Sequence, residues 1–200
     1  MYIHKAIEMY LDDLAARKSA PGGGSAAALG AAIGASLMSM AANYTIGNPK
    51  YKEVEPEVSA ILKKSEAARR GLQKLIDADV EAYNKLSKAM KERKGDAAGM
   101  DEAYKEAAAP PFEVCKIAAD CLKLCAELAD FGNKNLITDT AIAAIMLEGA
   151  FLSARFNVYI NLKYIKDTEY IAKVHGVLSP LEESIPKLKE EIIEKCEQRF

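Results

Sequence analysis

The residues of this 200-residue chain best suited to chemistry are a carboxylate, a glycine turn and a set of amides. Asp79 follows Leu72, Leu75 and Ile76 and precedes Tyr83 and Leu86 at helical spacing, so on a helix it lies within the apolar stripe. A carboxylate there must be paired, hydrogen-bonded or functional, because lost hydration raises its pKa. It is either an Asp at the edge of the stripe reaching water or a lysine, or an acid or base in a cleft. Pro21-Gly22-Gly23-Gly24-Ser25 is a turn that precedes strong helix formers. Its glycines give the backbone freedom and let a ligand approach, and Ser25 stands where an N-cap belongs. A helix opening there offers unpaired N–H groups and a positive dipole end to an anionic or carbonyl-bearing ligand. Asn157 and Asn161 are spaced i, i+4, and each offers a donor and an acceptor. They either bind a heterocycle's edge or hydrogen-bond between helices. Asn133 and Asp139 flank a loop at one end of the chain's helices, with Asp139 placed as an N-cap, and Asn43 and Thr45 stand as C-terminal caps.

These groups need a scaffold, and the apolar periodicity predicts an all-α one. A first amphipathic helix is expected over 2–17. A helix of Ala, Gly, Ser and Met follows over 26–43, small enough in side chain to be packed on all sides. It is about long enough to cross a bilayer, but it is weakly hydrophobic and lacks flanking anchors, so no membrane is expected. Gly47, Asn48 and Pro49 mark a turn, and a long helix spans 55–93 with Pro56 in its first turn. A polar loop covers 94–99. A short helix over 100–109 is expected to end at Pro110-Pro111, and another over 111–131 to stop at Gly132. The next runs from 138 or 139 to about 164. The tail, 167–200, reads as helix broken near Pro180 and Pro186. No stretch alternates with a period of two, and no internal repeat is evident. The expectation is one helical domain over 1–200 with long antiparallel helices.

Half of the residues are hydrophobic, enough for a sizeable core, and a net charge of −2 gives no electrostatic case for nucleic acid. No leader pattern opens the chain, which points to the cytoplasm. Cys115, Cys121, Cys125 and Cys196 read as buried reduced thiols rather than disulfides. With only His4 and His175 available, neither a Cys/His metal site nor a Ser-His-Asp or Cys-His nucleophile is expected. The small-residue helix and long apolar stripes suggest more buried surface than one short bundle offers, hence a homodimer.

The ordered set Pro21-Gly22-Gly23-Gly24-Ser25, Asn43-x-Thr45-x-Gly47, Tyr51, Asp79-x-x-Ala82-Tyr83, Gly132-Asn133, Asp139 and Asn157-Val158-x-x-Asn161-Leu162 resembles the cyclodeaminase/cyclohydrolase family of folate enzymes. The motifs span most of the chain. The resemblance implies a dimeric, all-helical enzyme acting on a tetrahydrofolate derivative, with no metal or redox cofactor. A cyclohydrolase adds water to the methenyl carbon bridging N5 and N10, whereas a cyclodeaminase closes N10 onto the N5-formimino carbon and expels ammonia. Asp79 is the expected proton carrier, with Tyr83 beside it. Gly22, Gly23, Gly24 and Ser25 are expected to receive a carbonyl or carboxylate of the substrate. Asn133, Asp139, Asn157 and Asn161 are candidates for the pterin edge, and Asn43 joins the expected substrate-binding set. The lack of a fused formiminotransferase domain favours the cyclohydrolase over the cyclodeaminase. The alternative outside enzymes is a folate carrier or a helical interaction module, in which every one of these residues has a structural role.

Overall fold

A computed structural model describes residues 1–92 and 96–199. Among the described residues there is no strand. Six helices follow in order: α1 (Ile7–Ala15), α2 (Gly23–Thr45), α3 (Glu55–Glu92), α4 (Ala97–Phe131), α5 (Ile137–Leu162) and α6 (Thr168–Glu197). Short 3-10 turns occupy Tyr2–His4, Pro49–Val54 and Lys134–Leu136. The uncharged α2 is the central strut and meets α3, α4 and α5. Its small side chains make that possible: a Cβ on Gly34 would stand 2.9 Å from Leu147 Cγ and 3.2 Å from the Ala143 carbonyl oxygen. Met38, Ile61, Leu72, Leu122, Leu128, Leu147 and Phe151 fill the core around it. By length and composition both α2 and α5 could cross a membrane; within this fold α2 lies mostly in the core.

Several boundaries differ from expectation. The first predicted helix is a 3-10 turn followed by α1. The break at Pro110-Pro111 is absent, because α4 runs through both prolines, and α6 likewise runs through Pro180 and Pro186. An interior proline removes a backbone donor and costs about 3 kcal/mol. Here Pro111, Val114, Cys115 and Ala118 are all buried, and that burial holds the helix together. Within the predicted 94–99 loop, residues 94 and 95 lie outside the described residues, as does residue 93 at the expected end of α3. Asp96 caps α4 through its bond from the Gly99 N–H.

The N-terminal segment is fastened by Asp77, a buried carboxylate that accepts the backbone N–H groups of Tyr2 and, at 3.3 Å, Ile3. Tyr2 meets Tyr10 edge-on with ring centroids 5.3 Å apart. This fixes α1 over the start of α2.

Candidate functional site

Four helices bring residues to one cavity of about 400 Å³. The start of α2 supplies Gly23 and Gly24, with Gly22 and Ser19 just before it. The latter part of α3 supplies Asp79, Tyr83, Leu86 and Met90. Near its start α4 supplies Tyr104 and Ala107, and the end of α5 supplies Asn157, Ile160 and Asn161, with Tyr164 just beyond. The ends of α3 and α4 are held together here by Leu86, Ala89, Ala103 and Ala107.

Asp79 sits against the start of α2. A Cβ on Gly24 would lie 2.6 Å from Asp79 Cγ, so only glycine admits the carboxyl there. The Ser25 N–H, one of the unpaired donors of the first helical turn, donates to Asp79. Burial nevertheless dominates and pushes the Asp79 pKa up to about 6, against the lowering effect of that bond. The carboxyl therefore changes charge close to neutral pH. Asn157 packs on Gly23, where a Cβ would stand 3.3 Å from its Nδ2. The Asn157 amide NH2 donates to the Ser153 carbonyl at 2.9 Å, and that of Asn161 to the Asn157 carbonyl at 2.7 Å. One N–H of each amide is used on its own helix, and among the described residues neither Oδ1 accepts a hydrogen bond.

Of the residues named from sequence, the structure gathers Gly22, Gly23, Gly24, Asp79, Tyr83, Asn157 and Asn161 around this cavity. Tyr83 is half exposed and makes no hydrogen bond to Asp79 among the described residues. Of the two reasons expected for the glycines, backbone freedom does not apply. None has a positive φ, and Gly22 itself, at φ −135°, is ordinary extended backbone. Their value lies in the missing Cβ.

Ser25 is corrected as an N-cap. The N-cap is Gly22, and Ser25 is the third residue of the helix. Its side chain is fully buried, with Oγ 3.1 Å from the Tyr10 hydroxyl, so its hydroxyl faces the interior. Asn43, Asn133 and Asp139 lie at the other end of α2 and α5, roughly 30 Å away along α2. Asn43 is exposed on α2's last turns. Asn133 is committed to a closed knot: its Nδ2 donates to the Tyr44 carbonyl at 2.8 Å, its N–H to Thr45 Oγ1 at 3.0 Å, and its Oδ1 accepts the Asn135 N–H at 3.0 Å. The same knot takes the Lys134 N–H onto the Tyr51 hydroxyl at 3.0 Å. Asp139 is in the first turn of α5 but not its N-cap, which is Leu136, because the preceding 3-10 turn runs straight into the helix.

Sequence reasoning missed Tyr104 and Tyr164 in the cavity and the contact of Tyr10 with Ser25. For Tyr164 the signal was present: Asn157, Ile160, Asn161 and Tyr164 share one helical face. Tyr10 and Tyr104 depend on how helices meet, which local spacing does not encode.

A sequence profile described as formiminotransferase-cyclodeaminase matches residues 6–179. The chain is 37% identical over 187 residues to the methenyltetrahydrofolate cyclohydrolase of Methylorubrum extorquens, covering 88% of this chain and 90% of that one. It is 31% identical over 204 residues to the formimidoyltransferase-cyclodeaminase of Sus scrofa, covering 98% of this chain but 38% of that longer protein. The crystal structure of formiminotetrahydrofolate cyclodeaminase from Thermotoga maritima matches with a TM-score of 0.92 at 33% identity, over 99% of this chain and 98% of that one. The chain belongs to the formiminotransferase-cyclodeaminase family.

Proposed function

We propose that the protein is an enzyme of folate one-carbon metabolism, a methenyltetrahydrofolate cyclohydrolase that opens 5,10-methenyltetrahydrofolate to 10-formyltetrahydrofolate. The observation that carries this reading is the half-buried Asp79 carboxyl packed on the glycine bend, where burial pushes its pKa up to about 6. Water attacks the cationic carbon between N5 and N10, and Asp79 takes the proton that water loses. A tetrahedral carbon bearing OH results. Its C–N5 bond then breaks as the hydroxyl releases its proton to solvent and the C=O forms, with Asp79 returning the first proton to N5, so that one proton is set free overall. A group whose pKa lies near the working pH serves both steps, and such catalysis typically contributes about 10² to 10⁴-fold. No atom changes oxidation state overall, so the proposal calls for no redox cofactor, and no step in it needs a metal. The 37% identity to a cyclohydrolase of similar length supports this choice.

The second reading is a cyclodeaminase. The Thermotoga maritima structure, named for that activity, matches nearly the whole chain. Both chemistries pass through a tetrahedral carbon between the same nitrogens. Two assays separate them: loss of methenyltetrahydrofolate absorbance on adding protein, and ammonia release from the 5-formimino derivative. The cyclohydrolase reading expects the first without the second. Ammonia release alone favours the cyclodeaminase, and binding with neither signal leaves a folate carrier.

A homodimer is part of the proposal. Thr138, Ile142, Ile145, Gly149, Ser153, Phe156 and Ile160 form one uncharged outer line along α5, with Ile145 53% and Phe156 65% exposed. Ile33 and Tyr44 are further exposed apolar residues on α2, which packs against α5. A stripe of this length fits a second copy better than water, and the proposal gives it to a protein partner rather than lipid. Sedimentation showing only monomer at micromolar concentration counts against it. Four free buried cysteines fit a reducing compartment, and the proposed location is the cytoplasm.

A further inference from the structure

We propose that the stacked pair Tyr104 and Tyr164 is the subsite for the substrate's second flat ring, the arylamine attached at N10; this rests on the folate reading above. The cavity's lining is of two chemical kinds. The glycine bend, Asp79 and the amides of Asn157 and Asn161 are polar, while Leu86, Met90, Ile160 and the tyrosine pair are apolar or aromatic. The tyrosine rings stack with centroids 4.9 Å apart and planes 18° from parallel, and Tyr164 is 50% exposed. Two acceptor oxygens suit the N–H-rich edge of a pterin. An aromatic wall beside solvent suits a flat ring that carries few donors. A substrate whose reacting carbon joins two rings then has one natural orientation: pterin on the polar lining, aryl ring on the shelf, and its carboxylate-bearing tail toward water.

The shelf is held in place before anything binds. Tyr104 comes from α4 and Tyr164 from the segment after α5, and a polar clip ties the two segments together. Lys105 Nζ donates to Asp167 Oδ2 at 2.8 Å and pairs with Asp101 Oδ2 at 3.1 Å, while Asp101 accepts the Lys166 N–H. Lys105 is one residue from Tyr104, and Lys166 and Asp167 are two and three residues past Tyr164.

The test compares wild type, Tyr164→Leu, Tyr164→Phe and Tyr104→Leu on two substrates: whichever folate derivative the wild type turns over, and its analogue carrying methyl at N10 in place of the aryl ring. Tyr164 is half exposed, so its truncation leaves the core intact; thermal melting checks Tyr104→Leu. Both leucine variants are expected to raise KM for the natural substrate about 10-fold with little change in kcat, the size expected of a lost aromatic contact. Tyr164→Phe keeps the wild-type KM. On the N10-methyl analogue the leucine variants and wild type behave alike. An unchanged KM in Tyr164→Leu, or an equal loss on both substrates, overturns the subsite alone. A wild type that turns over neither folate derivative overturns the functional reading and this inference with it.

Discussion

Gly24 and Asp79 occupy each other's space: a Cβ on residue 24 would stand 2.6 Å from Asp79 Cγ and 2.8 Å from its Oδ2. Gly24→Ala is therefore expected to drive the carboxyl off the bend and break its bond from the Ser25 N–H. The overpacking should cost about 1–3 kcal/mol. Turnover should fall with it, because the proton carrier moves. Gly23→Ala, with its nearest contact at 3.3 Å on the Asn157 amide, should be milder. Thermal unfolding and kcat/KM on both variants check the ranking. Wild-type turnover in a folded Gly24→Ala protein would mean that the reaction does not need Asp79 where it stands.

Gly22 gives the opposite pattern. It lines the cavity, yet a Cβ there would meet nothing within 4 Å and its φ of −135° is open to any residue. Among the described residues nothing requires glycine at this position. Gly22→Ala should melt with the wild type but raise KM, because the added methyl takes space left for the substrate. An unchanged KM would show that the ligand does not approach the backbone here.

Asp79 links activity and stability to pH with opposite signs. Its neutral form is favoured in the fold, with a pKa of about 6 against an ordinary 3.8. The stability this confers is full below about 3.8 and is lost as pH rises through about 6. Asp79→Asn should thus be more stable than wild type above pH 6, by on the order of 1–3 kcal/mol. It should also lose about 10² to 10⁴-fold in kcat. The wild-type kcat/KM should rise with pH through about 6 as the carboxylate base forms. A folded Asp79→Asn enzyme with near-normal turnover removes Asp79 from the chemistry.

Asp77, two residues away, separates support from reaction. Asp77→Ala strands two backbone donors at Tyr2 and Ile3 and should cost about 1–3 kcal/mol. Its effect on kcat should be far smaller than that of Asp79→Asn. Denaturant titration alongside steady-state kinetics reads both.

The thiols should be inert in the native protein. Burial pushes Cys115 and Cys121 up to about 12 and raises Cys125 as well. Iodoacetamide at pH 8 should label these three only after denaturation, because the thiolate is the reactive form.

What could be read from the sequence followed the range of the forces involved. Apolar periodicity and composition placed helix in each long segment, though α4 and α6 were expected to break at their prolines, and Asp79 stood out because a carboxylate conflicts with the stripe around it. Asn157 and Asn161 were legible as one face of α5. Local rules failed where tertiary burial overrode them. Pro110 and Pro111 signal a stop, yet α4 continues because its flanks are core. Ser25 has the right side chain for a cap, but the helix begins at Gly23 and the hydroxyl turns inward to Tyr10. The motif residues Asn43, Asn133 and Asp139 accompany the site in sequence but stand at the far end of a helix that spacing alone gives no means of folding back.

The clip between Lys105, Asp101 and Asp167 bears on how an acid titration of this enzyme is to be interpreted. The Lys166 N–H and Lys105 hold Asp101 below the usual carboxylate range, and Lys105 and the Tyr170 N–H do the same for Asp167. Lowered carboxylates release their partners only at pH below their ordinary values. Across the interval in which Asp79 gains its proton, this fastening stays shut. Activity lost on mild acidification then reports one proton arriving at one oxygen, with the walls around it still standing.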